Sequence, residues 1–472
     1  MTLDYRTQWT DFGTSCERCH GPGSLHVDTY SRDPKTRPVG QRLIVKPTRL
    51  TPQTSSMICA QCHSLRNIVA PDFRAGEDYY DYFQPVLEHG SRSDRDPAYW
   101  ADGRPRRFSN DAIGLWQSEC FLRGGATCTT CHYDPHLPDI DRNAQLASTN
   151  NGLCTQCHQE IGARLTAHTR HRADGAGSSC VECHMPRTVI SIKSTMRDHS
   201  MSLPAPENTV AFGIPNACTE CHADKKAAWA VDMLAQWWPQ GRRAKLVARA
   251  EAFTAGRAGR PEALDRLIAI ASDDREGPLI RANAVGYLRN YADARAVTAI
   301  LAAAKAEPPA IRSTAIQSLM LPPQVMTDGP RTGAAARATL FGALDDSHRA
   351  VRLSALFALV NVGGEPVGAE DQKRFRRVSH ELAAKARLYQ DDAAAQGDLG
   401  VVHLLAGEFD LAANALVNSR GLEPDRPSTT FMLALARLGQ QRVDEARALL
   451  RQVPSSDPYY HTAQERLKKL EP

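Results

Sequence analysis

The chain has 472 residues, of which 42% are hydrophobic and 23% are charged, and its formal net charge is +4. This length allows about two to four domains of ordinary globular composition. The sequence contains no apolar run long enough to form a transmembrane segment. The charges are balanced and no basic stripe is interleaved with aromatic residues, so nothing supports nucleic-acid binding.

The first half of the chain repeats one short motif, Cys-x-x-Cys-His. Twelve of the thirteen cysteines belong to its copies, and the thirteenth, Cys120, lies between the second and third copies. The six copies are Cys16/Cys19/His20, Cys59/Cys62/His63, Cys128/Cys131/His132, Cys154/Cys157/His158, Cys180/Cys183/His184 and Cys218/Cys221/His222.

Three chemistries use a Cys-x-x-Cys pair, and they differ in which residue must follow the pair. Zinc sites accept histidine at many spacings, and thioredoxin-like redox pairs need none. A c-type haem needs the adjacent histidine, because both thiols attach to the porphyrin and the next imidazole then reaches the iron. The six copies therefore predict six covalently attached haems c. Zinc knuckles and disulfides are the alternatives, but neither explains the histidine in every copy.

The ligand on the second face of each iron decides whether that iron is closed or open to substrate. The motif region holds as many spare histidines as motifs, so the sequence predicts two histidines for each iron. His136 follows His132 too closely to cross the same porphyrin, and we expect it to cap a neighbouring haem. The predicted second ligands are His26, His89, His136, His168, His171 and His199, with His168 and His171 one helical turn apart and able to serve two irons.

The composition changes near residue 225. The sequence before it is rich in proline, glycine, histidine and short polar turns, as expected where porphyrins fill the core. The sequence after it is rich in alanine and leucine at helical spacing. Trp229, Trp237 and Trp238 are predicted to seat the first helix of the second half against the haem region. Arg104, Arg106 and Arg107 are interpreted as haem propionate partners or, equally, as a solvated loop.

The second half contains repeated helical patterns. Alignment of Arg281, Arg312 and Arg352 places alanine three residues later, an aliphatic residue four later and leucine seven later in each copy, which suits HEAT-like helical pairs. Further on, His403 stands where a tetratricopeptide repeat usually carries tyrosine, so packing between helices is its predicted role. Matching residues recur about 34 positions apart, the period of that repeat, at Ala412 and Ala446, Leu416 and Leu450, and Pro424 and Pro458.

The predicted fold class is mainly α: a loop-rich multihaem cytochrome c domain followed by an α-helical solenoid of HEAT-like and tetratricopeptide-like repeats. The predicted divisions are the multihaem cytochrome c domain at 1–225, connecting helices at 226–260, HEAT-like repeats at 261–375 and tetratricopeptide-like repeats at 376–472.

Several segments together resemble a known family. WTDFGTSCERCHGPGSLHV, the stretch from CTTCHYDPH to CTQCH, CVECHMP, RDHS and GIPNACTECHADKKAAWA are similar to multihaem cytochromes c with carboxy-terminal tetratricopeptide or HEAT repeats. These are distant relatives of the hydroxylamine oxidoreductase and pentahaem nitrite reductase superfamily. Family members commonly carry additional haem motifs upstream, and they often have methionine where this chain has Cys120.

The resemblance and the motifs imply an exported electron-transfer protein, periplasmic or extracellular, because c-type haem is normally attached outside the cytoplasm. Its solenoid would dock redox partner proteins or further copies of the chain. The residues before Gly13 contain no apolar segment, so we expect an export signal upstream. One alternative is a haem oxidoreductase acting on a small nitrogen or sulfur compound at one open-faced haem, and another is a scaffold with structural or sensory haems.

The role of His136 can be tested by substitution. His136→Ala is expected to convert one haem from low to high spin without loss of covalent haem, because Cys128, Cys131 and His132 remain. The potential of that haem should also rise. The ferric spectrum checks the spin state, and an unchanged spectrum would identify His136 as a turn residue.

Overall fold

The computed structural model describes residues 13–32, 35, 43–88, 97–132, 151–239, 241–320, 330–362, 364 and 366–470. This part of the chain is mainly α-helical and includes a region of helical repeats, so the predicted fold class is confirmed. Its strands form two short antiparallel hairpins, Arg66–Ile68 with Phe83–Pro85 and Val189–Ile190 with Thr195–Met196. No helix within these ranges is both long enough and apolar enough to span a bilayer.

The motif-bearing half consists of short helices joined by loops. Local caps start some of them: Pro52 occupies a first turn, where the Thr51 hydroxyl accepts a hydrogen bond from the Thr54 amide at 3.2 Å. The Asn216 side-chain oxygen accepts one from the Cys218 amide at 3.0 Å. The helices are Cys16–His20, Ser24–Tyr30, Pro52–Ala60, Asp111–Gln117, Glu119–Leu122, Cys128–Cys131, Gly152–Thr155, Gln159–Ala163, Leu165–Thr169, Cys180–His184, Pro206–Phe212 and Ala217–Cys221, with 3-10 turns at Pro47–Arg49, Tyr79–Asp81 and Ala176–Ser178.

The second half is a succession of longer helices, each packed on its neighbours. Three of them, Pro278–Leu288, Pro309–Ser318 and Arg349–Asn361, pack side by side as one row. The others are Ala227–Trp237, Ala244–Arg257, Leu264–Ser272, Ala294–Ala303, Pro330–Ala343, Gly368–Ala386, Ala393–Leu405, Phe409–Leu422, Thr429–Gly439, Val443–Arg451 and Tyr460–Leu470, with 3-10 turns at Pro261–Ala263 and Arg387–Tyr389.

The aligned positions of the first repeat lie inside this row of three helices. All copies of the alanine, the aliphatic residue and the leucine are 0% exposed. The periodicity therefore identified a helix face that is buried each time it occurs. The nine residues are Ala284, Val285, Leu288, Ala315, Ile316, Leu319, Ala355, Leu356 and Leu359.

The arginine that opens each copy has a role that the alignment does not reveal. Each one donates a hydrogen bond to a backbone carbonyl at or just beyond the end of the preceding helix. The Ala271 carbonyl lies in the last turn of its helix, and the Ala306 and Asp346 carbonyls lie just beyond the ends of the helices before them. The arginines therefore donate to acceptors that the helix ends leave open. The three bonds run from Arg281 to Ala271 at 3.0 Å, from Arg312 to Ala306 at 3.0 Å and from Arg352 to Asp346 at 2.8 Å.

Most of the tetratricopeptide-like positions are buried as well, whereas Pro424 and Pro458 are exposed. A Cβ atom at Gly400 would lie 2.5 Å from Leu416, so glycine is needed where helix Ala393–Leu405 crosses helix Phe409–Leu422. His403 is 3% exposed, and its Nδ1 lies 2.7 Å from Oε2 of Glu408, as suits a packing residue. The paired positions Ala412, Ala446, Leu416 and Leu450 are all 0% exposed.

The hydrophobic core continues across residue 225. Aromatic side chains of the motif-bearing half, including Tyr79 and Trp116, belong to the same buried cluster as Phe253 and Leu356 of the repeats. Such rings gain most from burial, and the helical row supplies the apolar surface that covers them. One buried cluster therefore includes residues from both sides of residue 225, and the division into domains stays a prediction.

Polar contacts join the same two parts of the chain. The Glu88 amide donates to the side-chain oxygen of Asn283 at 2.9 Å, and the Arg349 amide donates to Oδ1 of Asp81 at 2.9 Å. Asn283 lies within helix Pro278–Leu288, and Arg349 is the first residue of helix Arg349–Asn361. The two bonds therefore hold residues 78–88 against this row of helices.

Arg104 is buried, which contradicts its interpretation as part of a solvated loop. It is 7% exposed, and its guanidinium pairs with Oδ2 of Asp102 at 2.8 Å and Oδ2 of Asp198 at 2.9 Å. Burial alone would lower the pKa of Arg104, but the two carboxylates outweigh burial and raise it. Arg104 is therefore an internal ion-pair residue, and its Nε and Nη1 donate to Asp102, Asp198 and Ser202. Its interpretation as a propionate partner stays a prediction. Arg106 lies over the Trp100 ring at 4.9 Å.

His348 forms an electrostatic link between the two parts. Its Nε2 lies 3.6 Å from Oδ2 of Asp78, and its Nδ1 lies 3.6 Å from Oδ1 of Asp346. Asp346 and then Asp78 raise the pKa of His348 to about 9, against the opposing effect of burial. A histidine whose pKa is raised on folding stabilises the fold at low pH, and this stabilisation disappears as the pH rises through about 9.

We therefore expect His348→Gln to destabilise the protein in a pH-dependent way. The loss should be on the order of 1 kcal/mol below pH ~6.5, after allowing for solvent screening, and should vanish above pH ~9.5. Thermal unfolding of both proteins across this pH range, followed by circular dichroism, measures the difference. The exposed His461 provides the control His461→Gln, which should show no such trend. A difference that does not vary with pH would contradict the assignment.

Candidate haem-binding sites

The Cys-x-x-Cys-His motifs share a local backbone conformation. In four of them the histidine amide donates to the carbonyl of the first cysteine, so the motif closes one helical turn. Cysteines three apart on such a turn point to the same side, with the histidine following directly. The four bonds run from His63 to Cys59 at 2.9 Å, from His132 to Cys128 at 2.8 Å, from His158 to Cys154 at 3.0 Å and from His222 to Cys218 at 2.8 Å.

Consecutive motifs are neighbours in space. The thiols of Cys59 and Cys128 are hydrogen-bonded, which lowers the pKa of Cys59 to about 7 and raises that of Cys128. Burial, then Cys218, raise the pKa of Cys183 to about 11. Burial, then Cys59, raise the pKa of Cys19, and burial, then Cys120 and Cys157, raise the pKa of Cys131. The Cys180 thiol, then burial, raise the pKa of Cys154. All thirteen cysteines lie in the described ranges and are free thiols there.

The second cysteine of the second motif lies at the protein surface. Cys62 is exposed. Helix Pro52–Ala60 ends before this residue, so Cys62 lies on the turn that follows, and its amide donates to the Cys59 carbonyl at 3.0 Å. Cys62 is therefore not part of the protein core, and its role in haem attachment stays a prediction that rests on the motif. Three other motifs also have one exposed cysteine each: Cys16, Cys157 and Cys221.

Hydrogen bonds orient several of the imidazoles. Nδ1 of His20 lies 2.7 Å from the Val45 carbonyl, and Nδ1 of His184 lies 3.1 Å from the Ser202 carbonyl. A carbonyl can only accept, so Nδ1 must carry the proton and Nε2 keeps its lone pair. This arrangement is typical of metal-binding histidine, in which the second nitrogen fixes the tautomer and the ring orientation.

Three motif histidines face a spare histidine across a gap. Two imidazoles bound to opposite sides of one metal, each through a bond of about 2 Å, have ring centroids about 6 Å apart. Each of the three pairs combines one motif histidine with one predicted second ligand. The centroid distances are 6.5 Å for His132 with His199, 6.2 Å for His184 with His168 and 6.2 Å for His222 with His171, and the planes are inclined by 19°, 17° and 37°.

The protonation states also suit metal binding. Burial lowers the pKa of His132, His168 and His184, which favours the neutral imidazole. Only the neutral form has a lone pair to give to a metal. The tautomer, the spacing and the charge of these residues therefore fit haem iron held between two histidines.

The tryptophans after residue 225 contact the same histidines. Trp229 lies 4.9 Å from His222 between ring centroids. Trp237 lies 6.2 Å from His171, and Trp238 lies 5.4 Å from His168. The end of helix Ala227–Trp237 and the next residue, Trp238, thus lie beside His171 and His168, the predicted second ligands of two pairs.

Asp111 is a residue of this region that the sequence analysis missed. Its Oδ2 accepts a hydrogen bond from Nδ1 of His63 at 2.9 Å, and this bond raises the pKa of His63. No local sequence signal marks Asp111, because it lies far along the chain from His63 and outside any motif.

The other predicted second ligands are placed differently. His26 lies in helix Ser24–Tyr30, where its ring is 4.6 Å from that of Tyr30. His89 and His136 lie outside the described residues. Zinc needs at least three side chains converging on one point, and no group of three His, Cys, Asp or Glu does so in the described part of the chain.

Comparison with known families finds one match in each half of the chain. The doubled CXXCH motif profile matches residues 122–163, which contain the third and fourth motifs. The chain carries motifs for c-type haem. A tetratricopeptide repeat profile matches residues 403–467, which indicates protein–protein interaction through this part. No curated protein matches the chain.

The histidine pairs lead to a test with single and double variants. We expect His168→Ala and His171→Ala each to convert one different haem from low to high spin, because each removes one side of a separate pair. The double variant should convert two haems, with no loss of covalent haem. Electron paramagnetic resonance of the ferric proteins measures this, and His461→Ala is the control. Equal spectra for single and double variants would show that the two residues do not serve separate irons.

Proposed function

We propose that the protein is an exported multihaem c-type cytochrome that carries electrons through six haems, with its helical repeats as a docking region. The observation that carries the proposal is the set of three facing pairs, each with one motif histidine and one distant histidine at 6.2–6.5 Å. A bound haem c supplies an iron that exchanges one electron at a time. Histidine on both faces leaves no open position for substrate.

The number of six rests on the likeness between the motifs. The doubled CXXCH profile covers only the third and fourth copies. The second and sixth have the same histidine-to-cysteine backbone bond as those two, and the fifth is paired with His168. The first has its histidine oriented by the Val45 carbonyl. Each copy therefore has the thiols and the imidazole that attachment requires.

The spacing of the motifs supports electron transfer along the chain of haems. Thiols of consecutive motifs influence one another from the first copy to the sixth, so neighbouring attachment points are close in space. Haems attached at such points would form a continuous series. Electrons could then enter near one end of the series and leave near the other.

Export and partner binding complete the proposal. Haem c is normally attached outside the cytoplasm, which favours a periplasmic or extracellular location. The tetratricopeptide region supports docking of a redox partner protein or of further copies of the chain, because such repeats present extended binding surfaces. The distant relationship to the hydroxylamine oxidoreductase superfamily, and the HEAT-like character of the earlier repeats, are part of the same proposal and rest on the quoted segments and the repeated helix face.

Two measurements on exported protein test this function. A pyridine haemochrome assay should give six haems per chain, and the ferric spectrum should be almost entirely low spin. Fewer haems would contradict the count, and bound zinc without haem would overturn the proposal. One high-spin haem that binds nitrite or hydroxylamine would instead favour the alternative function, an oxidoreductase with an open-faced haem.

A further inference from the structure

Asp111 touches two histidines that belong to different irons in the proposed function. Its Oδ2 accepts a hydrogen bond from Nδ1 of His63 at 2.9 Å, and its Oδ1 lies 3.3 Å from Nδ1 of His199. His63 belongs to the second motif, whereas His199 faces His132 of the third. The Asp111 side chain is 19% exposed, so solvent screens its charge only in part. One carboxylate is therefore shared between ligands of neighbouring haems.

The helix Asp111–Gln117 holds this carboxylate against the second motif. The Ala112 amide donates to the His63 carbonyl at 3.0 Å. The Trp116 indole donates to the Ser56 hydroxyl at 2.7 Å, and Ser56 lies on the helix that leads to Cys59. These two bonds act at both ends of the short helix, so Asp111 and His63 are fixed to each other.

The same helix also lies directly against the backbone of His199. A Cβ atom at Gly114 would be 3.1 Å from the carbonyl carbon of His199 and 3.1 Å from the Ser200 nitrogen. That distance is tighter than an ordinary van der Waals contact, so glycine permits this close approach. The repeats support the helix from the other side, where Gly277 packs against the Trp116 carbonyl.

Three other predicted ligands have neutral acceptors at Nδ1. Nδ1 of His20, His184 and His171 lies next to the carbonyl oxygens of Val45, Ser202 and Thr169. His199 also has the Arg197 carbonyl at 3.2 Å. A full negative charge beside an imidazole makes it a stronger donor to iron than a carbonyl does, and it stabilises the ferric state.

We propose that Asp111 is a positioning residue shared by two haems, which orients His63 and His199 and lowers the reduction potentials of both irons together. The proposal rests on the proposed function, since it assigns both histidines to iron. The effect is larger at the His63 haem, because only that imidazole donates a hydrogen bond to the carboxylate. The two haems would form a low-potential step within the series.

Asp111→Asn tests this because it keeps the size and a hydrogen-bond acceptor but removes the charge. Spectroelectrochemical titration should show two haems shifted upward, the larger shift being about tenfold in the reduction equilibrium constant, or about 59 mV for one electron. Asp111→Glu should return both potentials towards the wild-type values. The control Asp265→Asn removes one exposed negative charge in the repeats and should shift neither haem.

The variant His199→Ala separates the effects of Asp111 on the two haems. In His199→Ala the haem of the third motif should be high spin, and adding Asp111→Asn should then shift only one low-spin haem. If Asp111→Asn leaves all potentials unchanged, shifts a single haem in the otherwise wild-type chain, or alters haem number or spin state, then the shared role is overturned. Haem count on the wild type is measured first, so failure of the proposed function is recognised separately.

Discussion

A histidine next to its attachment cysteines can reach only one face of its haem. In the proposed function a residue from a different segment serves the other face, so the chain has to fold in such a way that this residue arrives at the correct distance. In this protein the facing imidazoles lie 6.2–6.5 Å apart, although His199 and His132 come from separate parts of the sequence. Much of the surrounding structure can be understood as the packing that meets this requirement.

The loop from residues 197 to 202 shows how a few contacts serve several sites. Arg197 donates to the carbonyls of Val181 and Met185 at 3.2 and 3.0 Å, which ties the loop to the helix of the fifth motif. The Ser202 carbonyl orients His184 of that motif, while His199 faces the third. One loop therefore links two motifs, and displacement of its backbone would disturb both.

The repeats contribute to this arrangement as well as offering a surface for partners. Gly103 lies so close to Phe253 and Ile280 that an added Cβ atom would be 3.0 and 3.1 Å from them. The loop around Gly103 carries Arg104, which pairs with Asp198 beside His199. The helical row is thus connected to the ligand-bearing loop through one buried ion pair, and the packing of the repeats influences the geometry of the sites.

The sequence by itself determined the features that depend on local chemistry and periodicity. The attachment motifs were readable because cysteines and histidine must be adjacent to act on one haem, and the repeat face at Ala284, Ala315 and Ala355 was readable because buried helix positions recur at a fixed spacing. Which histidine faces which motif, the sharing of Asp111 and the pairing of Arg104 with Asp198 were decided only by the tertiary structure. Those contacts join residues far apart in the chain, and no local pattern encodes a distance across a fold.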